Sequence, residues 1–167
     1  NFFSMMKQLI TDFTKHLEQA ITIGSSAKFN ASKNKIDNVL ICGLGGSGIG
    51  GTIISQLISD ECKKPILVNK DYTLPAFVSE NSLVICCSYS GNTEETLSMF
   101  AQAEEKGAEI AIITSGGKFA EIAKEEGKNI IQIPGGLPPR AAFGLSFPQL
   151  FFVFEKYGLI QSKSKQI

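Results

Sequence analysis

Three hydroxyl side chains, Ser88, Ser90 and Thr93, fall within six residues of the stretch Ser88-Tyr89-Ser90-Gly91-Asn92-Thr93-Glu94-Glu95-Thr96. The stretch follows the apolar run 83–87 and precedes a helical pattern. A helix start offers free backbone N–H groups and roughly half a positive charge, which suits a phosphate. Small hydroxyls can complete such a cup without crowding it. The same residues also read as an ordinary helix cap, because Asn92-x-x-Glu95 has the spacing of a capping box.

A second chemically loaded stretch lies upstream, at Gly43-Leu44-Gly45-Gly46-Ser47-Gly48-Ile49-Gly50-Gly51. Glycines allow backbone to approach a ligand closely. Ser47, at a helix start, can hydrogen-bond a sugar hydroxyl or a carbonyl oxygen. The run also matches G-x-G-x-x-G at Gly43, Gly45 and Gly48, so a nucleotide or flavin has to be weighed. That reading wants an acid at the end of the second strand, where the chain has Val68-Asn69 and Asp71 comes late. An FMN site wants flanking aromatics, and only Tyr89 is near. Neither loop contains lysine or arginine. Hydrogen bonds to a charged group, at roughly 1.5–3 kcal/mol each, are strong enough for several of them to hold a phosphate at millimolar to micromolar affinity.

The elements that must position these loops are legible as periodicity. Residues 39–42, 66–68, 83–87, 110–113 and 129–133 are short, mostly β-branched apolar runs. Continuous rather than alternating apolarity predicts strands covered on both faces, hence a parallel sheet. Helical stripes lie between them: Ile49, Ile53, Ile54, Leu57 and Ile58; then Leu97, Phe100 and Ala101; then Phe119, Ile122 and Ala123. Gly107 and Gly127 sit where helices should end. The connection 69–82 contains Pro75 and has room for only a short helix. The expected fold is a three-layer, doubly wound α/β domain with a five-stranded parallel sheet in the flavodoxin-like order 2-1-3-4-5. In that order both loops meet at the switch point between strands 1 and 3, where open α/β sheets bind ligands.

Outside the sheet, residues 2–21 read as an amphipathic helix with Gly24 as its stop and His16 at the edge of its apolar stripe. Residues 24–38 form a polar linker. After strand 5 comes the stiff loop Pro134-Gly-Gly-Leu-Pro-Pro-Arg140, then an apolar helix from Ala141 to about Tyr157, kinked near Pro148. It holds five of the twelve phenylalanines. So apolar a helix is expected to pack on the sheet and on something else, a second subunit or a second domain. The organisation is therefore an N-terminal helix and linker (1–38), one domain (39–160) and a polar tail (161–167).

Composition excludes several classes. The chain has 167 residues with 16 basic and 16 acidic side chains, so no basic excess exists to meet a nucleic-acid backbone. No apolar run approaches the ~20 residues of a membrane span. Cys42, Cys86 and Cys87 lie in apolar strands and Cys62 elsewhere, which suggests reduced thiols in a cytoplasmic core and no metal spacing.

The three loop motifs together, Gly43-x-Gly-Gly-Ser-Gly-Ile-Gly-Gly51, Ser88-Tyr-Ser-Gly-Asn-Thr-Glu-Glu-Thr96 and Pro134-Gly-Gly-x-Pro-Pro-Arg-Ala-Ala142, resemble the sugar isomerase (SIS) domain. More closely, they resemble the amino-terminal half of the bifunctional phosphoglucose/phosphomannose isomerase family, from about residue 39 to 157. The resemblance implies that Gly46 and Ser47 contact the sugar and that Ser88, Ser90 and Thr93 bind its phosphate. It implies that Arg140 stands beside the reacting carbons, where a permanent cation stabilises an enediolate. The implied reaction interconverts glucose 6-phosphate or mannose 6-phosphate with fructose 6-phosphate through an enediol, with no metal or redox cofactor. The base that moves the proton is expected from a second SIS domain, which no part of this sequence matches. Candidates within the chain are Glu94, Glu95, Asp71 and His16. The first two belong to a helix start, which favours the weakly basic ionised form. A sugar-phosphate sensor without chemistry is the alternative, and a nucleotide or FMN module the next. The expected partners are a hexose 6-phosphate and a second copy or second SIS domain docked on the helix at 141–157.

Overall fold

The computed structural model describes residues 2–139 and 141–161, with side chains from residue 11 onward. In chain order the elements are α1 (Phe2–Ser26), β1 (Asn38–Cys42), α2 (Gly45–Leu57), β2 (Ile66–Asn69), β3 (Ser82–Ser88), α3 (Glu94–Glu105), β4 (Glu109–Thr114), α4 (Gly117–Glu126), β5 (Asn129–Gln132) and α5 (Phe143–Lys156). All strand pairs are parallel and the sheet order is β2-β1-β3-β4-β5, as the crossover pattern predicts.

Alternation within the strands divides the core into two layers. Val39, Ile41, Leu83, Ile85 and Ile113 face α2 and α5, where they meet Ile54, Ile58, Leu150 and Val153. Leu40, Val84, Cys86 and Ile112 face the other side and pack with Met99, Phe100, Ala103 and Phe119 of α3 and α4. Every residue of β3 is buried, whereas β2, at the sheet edge, is only half covered. The register sets Cys42 beside Cys86 and Ser88 beside Thr114. The strands therefore end together and their following loops share one rim.

Several local expectations change. In α3 it is Ala103, not Ala101, that enters the core. In α2 and at its C-cap, Ile54 and Ile58 are buried while Ile49 and Leu57 are exposed, because Gly48, Gly50 and Gly51 take up the buried face. A Cβ at Gly51 would lie 3.0 Å from Ile41 and 3.2 Å from Val68, so this glycine lets the helix lie close against the sheet. Residues 70–81 contain no helix. Leu74 and Val78 plug the core there, and Gln102 secures the loop by accepting from Leu74 N–H and donating to Tyr72 O. Gly107 and Gly127 take positive φ at the ends of α3 and α4, where left-handed residues close helices.

The N-terminal helix does not stop at Gly24. It runs to Ser26, and Gly24 is the point where it meets α5: a Cβ there would stand 2.0 Å from the Phe152 ring. Farther along, Phe13 and His16 cover Gly144, and buried Gln149 donates to Ala20 O and Leu145 O. Thus α5 lies between the sheet and α1. Part of its apolar surface is thus covered within the chain, while Phe143, Phe147 and Phe151 remain only half-buried. The helix passes through Pro148 as a single element. The segment 27–37 is tied down rather than free, since Asn129 bonds both backbone groups of Asn30. All four cysteines are free thiols and buried. Among the described residues no helix is long and apolar enough to cross a membrane.

Candidate functional site

The cleft at the carboxyl ends of β1 and β3 is built from two helix starts. After Cys42 the chain turns at Gly43 and Leu44 and enters α2, whose N-cap position, Leu44, has no side-chain acceptor. After Ser88 it turns through Tyr89–Asn92 and enters α3 at Thr93, again without a side-chain cap. No cap side chain bonds a first-turn N–H of either helix, although Ser47 N–H reaches Leu44 O.

The hydroxyls are organised rather than loose. Ser88 Oγ lies 2.7 Å from Thr93 Oγ1 and accepts Gly91 N–H at 3.1 Å. Ser90 Oγ accepts Asn92 N–H at 3.2 Å. If Ser88 donates to Thr93, the Thr93 proton is left to point at a ligand. The cleft has a volume of about 280 Å³ and is lined by Leu44, Gly45, Gly46, Ser47, Cys87, Ser88, Tyr89, Ser90, Thr93, Pro139, Phe143 and Ser146. Five of the six residues singled out from sequence, Gly46, Ser47, Ser88, Ser90 and Thr93, thus line one cleft. Arg140 lies outside the described residues, and its neighbour Pro139 lines the cleft.

The capping box does not form. Asn92 Oδ1 instead accepts Lys118 N–H at 2.9 Å, capping the start of α4. This ties the hydroxyl loop to the β4–α4 turn. Phe119 N–H adds a bond to Gly91 O at 3.1 Å, and Ser115 donates both N–H (3.0 Å) and Oγ–H (2.5 Å) to Tyr89 O. Gly91 has φ +74° and its hypothetical Cβ would lie 1.8 Å from Gly116 O, so no side chain fits at this joint.

None of the candidate bases lines the cleft. Glu94 and Glu95 sit in the first turn of α3. Partial desolvation and the hydrogen-bonded Glu95 carboxylate push the Tyr72 phenol up, which puts Glu95 on the side of the 70–81 loop. Asp71 accepts Tyr72 N–H within its own turn, and His16 packs on α5. The cleft floor is neutral: burial pushes the Cys87 thiol up to about 12. Among the described residues no lysine or arginine lines it, although the Lys70 stem lies against Gly48 one turn into α2.

Sequence reasoning missed the wall supplied by α5 and the part played by Tyr89. Ser146 faces the cleft with only a long 3.5 Å contact to Phe143 O. Its signal was a lone hydroxyl in an otherwise apolar run. Beneath the cleft, Ile113, Ile133, Phe147 and Leu150 close a narrow apolar seam continuous with it.

No protein-family model matches the chain. It is 47% identical over 162 residues to the bifunctional phosphoglucose/phosphomannose isomerase of Caldicellulosiruptor bescii, covering 97% of this chain and 48% of that protein. The enzyme of the same description from Thermoplasma acidophilum is 42% identical over 142 residues, covering 84% and 43%. The chain spans about half the length of the curated relatives it matches. Among solved structures, a phosphosugar-isomerase-like protein of Clostridium difficile 630 superposes with a TM-score of 0.76 at 18% identity, over 96% of this chain and 49% of the other.

Proposed function

From a chain that is a sugar isomerase (SIS) domain, homologous to the bifunctional phosphoglucose/phosphomannose isomerases over about half their length, we propose that it is the part of such an isomerase that holds the substrate. The substrate is a hexose 6-phosphate, glucose 6-phosphate or mannose 6-phosphate, converted to fructose 6-phosphate. Its phosphate occupies the cup of Ser88, Ser90, Thr93 and the first-turn N–H groups of α3. Its sugar lies against Gly46 and Ser47, and Arg140 stabilises the enediolate. The observation that carries this reading is the convergence of two uncapped helix starts and four of these hydroxyls on one cleft. A phosphate dianion meets fixed N–H and O–H donors there without moving the backbone, so little reorganisation opposes binding.

Aldose–ketose isomerisation also needs a base within hydrogen-bond reach of C1 and C2. No aspartate, glutamate or histidine is among the described residues lining the cleft, so the purified chain is expected to bind hexose phosphate without turning it over. That same observation favours a second reading, a sugar-phosphate sensor, which differs in predicting binding without turnover in the whole protein too.

Calorimetric titration with glucose 6-phosphate and mannose 6-phosphate tests the first reading. Replacing both Ser88 and Thr93 by alanine removes the one hydroxyl proton their mutual bond leaves for the phosphate, together with the oxygen that orients it, and should weaken binding more than about tenfold. The single variants should be non-additive, because the two oxygens are bonded to each other. Isotherms unchanged in the double variant would refute the phosphate cup.

A further inference from the structure

We propose that Tyr89 is a positioning residue, locking the 134–139 loop, whose Pro139 lines the cleft, onto the hydroxyl cup. The inference rests on the sugar-phosphate reading of the cleft.

Tyr89 is held at both ends. Its main chain is part of the hydroxyl loop, where its carbonyl accepts from Ser115 N–H and Ser115 Oγ–H. Its phenol oxygen reaches a different loop, accepting Leu137 N–H at 3.0 Å and donating to Pro134 O at 3.4 Å. The ring packs with Leu137 against Ala20, Ile133 and Leu145, so its direction is set by α1 and α5 as well as by the sheet. One side chain thus spans from the cup to the proline-rich loop, and Pro139 at the end of that loop lines the same cleft.

The far end of the 134–139 loop is held by Ala141 N–H and Ala142 N–H, both donated to Pro138 O, but its first half has few bonds besides those of Tyr89. Gly135 and Gly136 are exposed, and Gly136 has φ +84°. Pro134, Pro138 and Pro139 have no N–H to donate. Leu137 N–H is one of the loop's few donors, and it goes to Tyr89. A cleft wall such as Pro139 must be placed to within about half an ångström to fit a ligand, which is the task of the hydrogen bonds behind it. Phosphate alone does not need the loop, because its cup is complete in residues 88–93 and the start of α3.

Tyr89→Phe separates these roles, because it keeps the ring and removes only the oxygen. Two measurements are needed. The first is amide hydrogen exchange at Leu137, which requires no ligand. The second is affinity for inorganic phosphate and for glucose 6-phosphate, by titration of the full chain. The variant should exchange Leu137 at least about tenfold faster and lose about fivefold or more in affinity for the sugar phosphate, while inorganic phosphate stays within about twofold. Unchanged Leu137 exchange would overturn the proposal, as would equal losses for both ligands, which would make Tyr89 part of the cup itself. A wild-type chain that binds neither ligand would refute the sugar-phosphate reading and the proposal's consequence for it. The exchange measurement would still decide whether Tyr89 orders the loop.

Discussion

Replacing Gly91 by alanine puts the cup's construction to its hardest test. At φ +74° an alanine sits in the left-handed region, at a cost of roughly 1–2 kcal/mol. The new Cβ would also stand 1.8 Å from Gly116 O and 2.9 Å from Thr114 Oγ1, closer than any real carbon approaches. Both obstacles belong to the β4–α4 turn, so the two loops must separate by more than an ångström. That movement strains Phe119 N–H to Gly91 O, Lys118 N–H to Asn92 Oδ1 and Gly91 N–H to Ser88 Oγ. At about 0.5–1.5 kcal/mol net for each bond, together with the backbone term, the loss amounts to roughly 3–6 kcal/mol. Urea denaturation followed by circular dichroism measures it. Calorimetry with glucose 6-phosphate should show binding lost even where the variant remains folded. Gly46→Ala is the matched control. It lies in the first turn of α2 with nothing within 4 Å of its hypothetical Cβ, so the fold should be unharmed or slightly stabilised. Because Gly46 lines the cleft, affinity should nevertheless fall. A Gly91→Ala protein with wild-type urea midpoint and wild-type affinity would refute the reasoning. So would a Gly46→Ala protein that unfolds early.

Two further predictions concern packing and pH. Gly24→Ala drives a methyl into the Phe152 ring, 2.0 Å from Cδ2, and overpacking should cost about 1–3 kcal/mol, outweighing the helix preference for alanine. Scanning calorimetry should show a Tm lower by roughly 2–10 °C, and an unchanged or raised Tm would deny the close contact of α1 with α5. Burial raises the Cys87 thiol to about 12, against about 8.5 in the unfolded chain, so the folded state keeps a proton that the unfolded state loses. The stability this contributes is intact below about pH 8.5 and declines as pH rises toward the folded value, at up to about 1.4 kcal/mol per pH unit. Buried Cys42 and Cys86 are raised in the same way, so urea midpoints should drop between about pH 8.5 and 9.5 and Cys87→Ala should lessen that slope without abolishing it; parallel slopes would contradict it.

Sequence by itself determined what depends on local pattern. Continuous apolar runs and the helical stripes between them dictated a parallel sheet, and a short second connection dictated the order β2-β1-β3-β4-β5. Loops after strands 1 and 3 then had to face one another, and the resemblance of their motifs to the SIS family singled out Gly46, Ser47, Ser88, Ser90 and Thr93, which line one cleft. Tertiary structure decided whatever rests on a partner far along the chain. Asn92 has the spacing of a cap for α3, but its acceptor oxygen goes to Lys118, 26 residues on. Gly24 looks like a helix stop, but Phe152 requires it to be small. The phenylalanine-rich α5 gives no sign of what packs on it, and one of its neighbours is α1, from the opposite end of the chain. Tyr89 shows no periodicity or motif that marks the loop it bonds, because Pro134 and Leu137 reach it only after β4, α4 and β5 have been laid down. Local spacing specifies which groups are available; which of them meet is set by the burial of the sheet's two faces, a property of the whole chain.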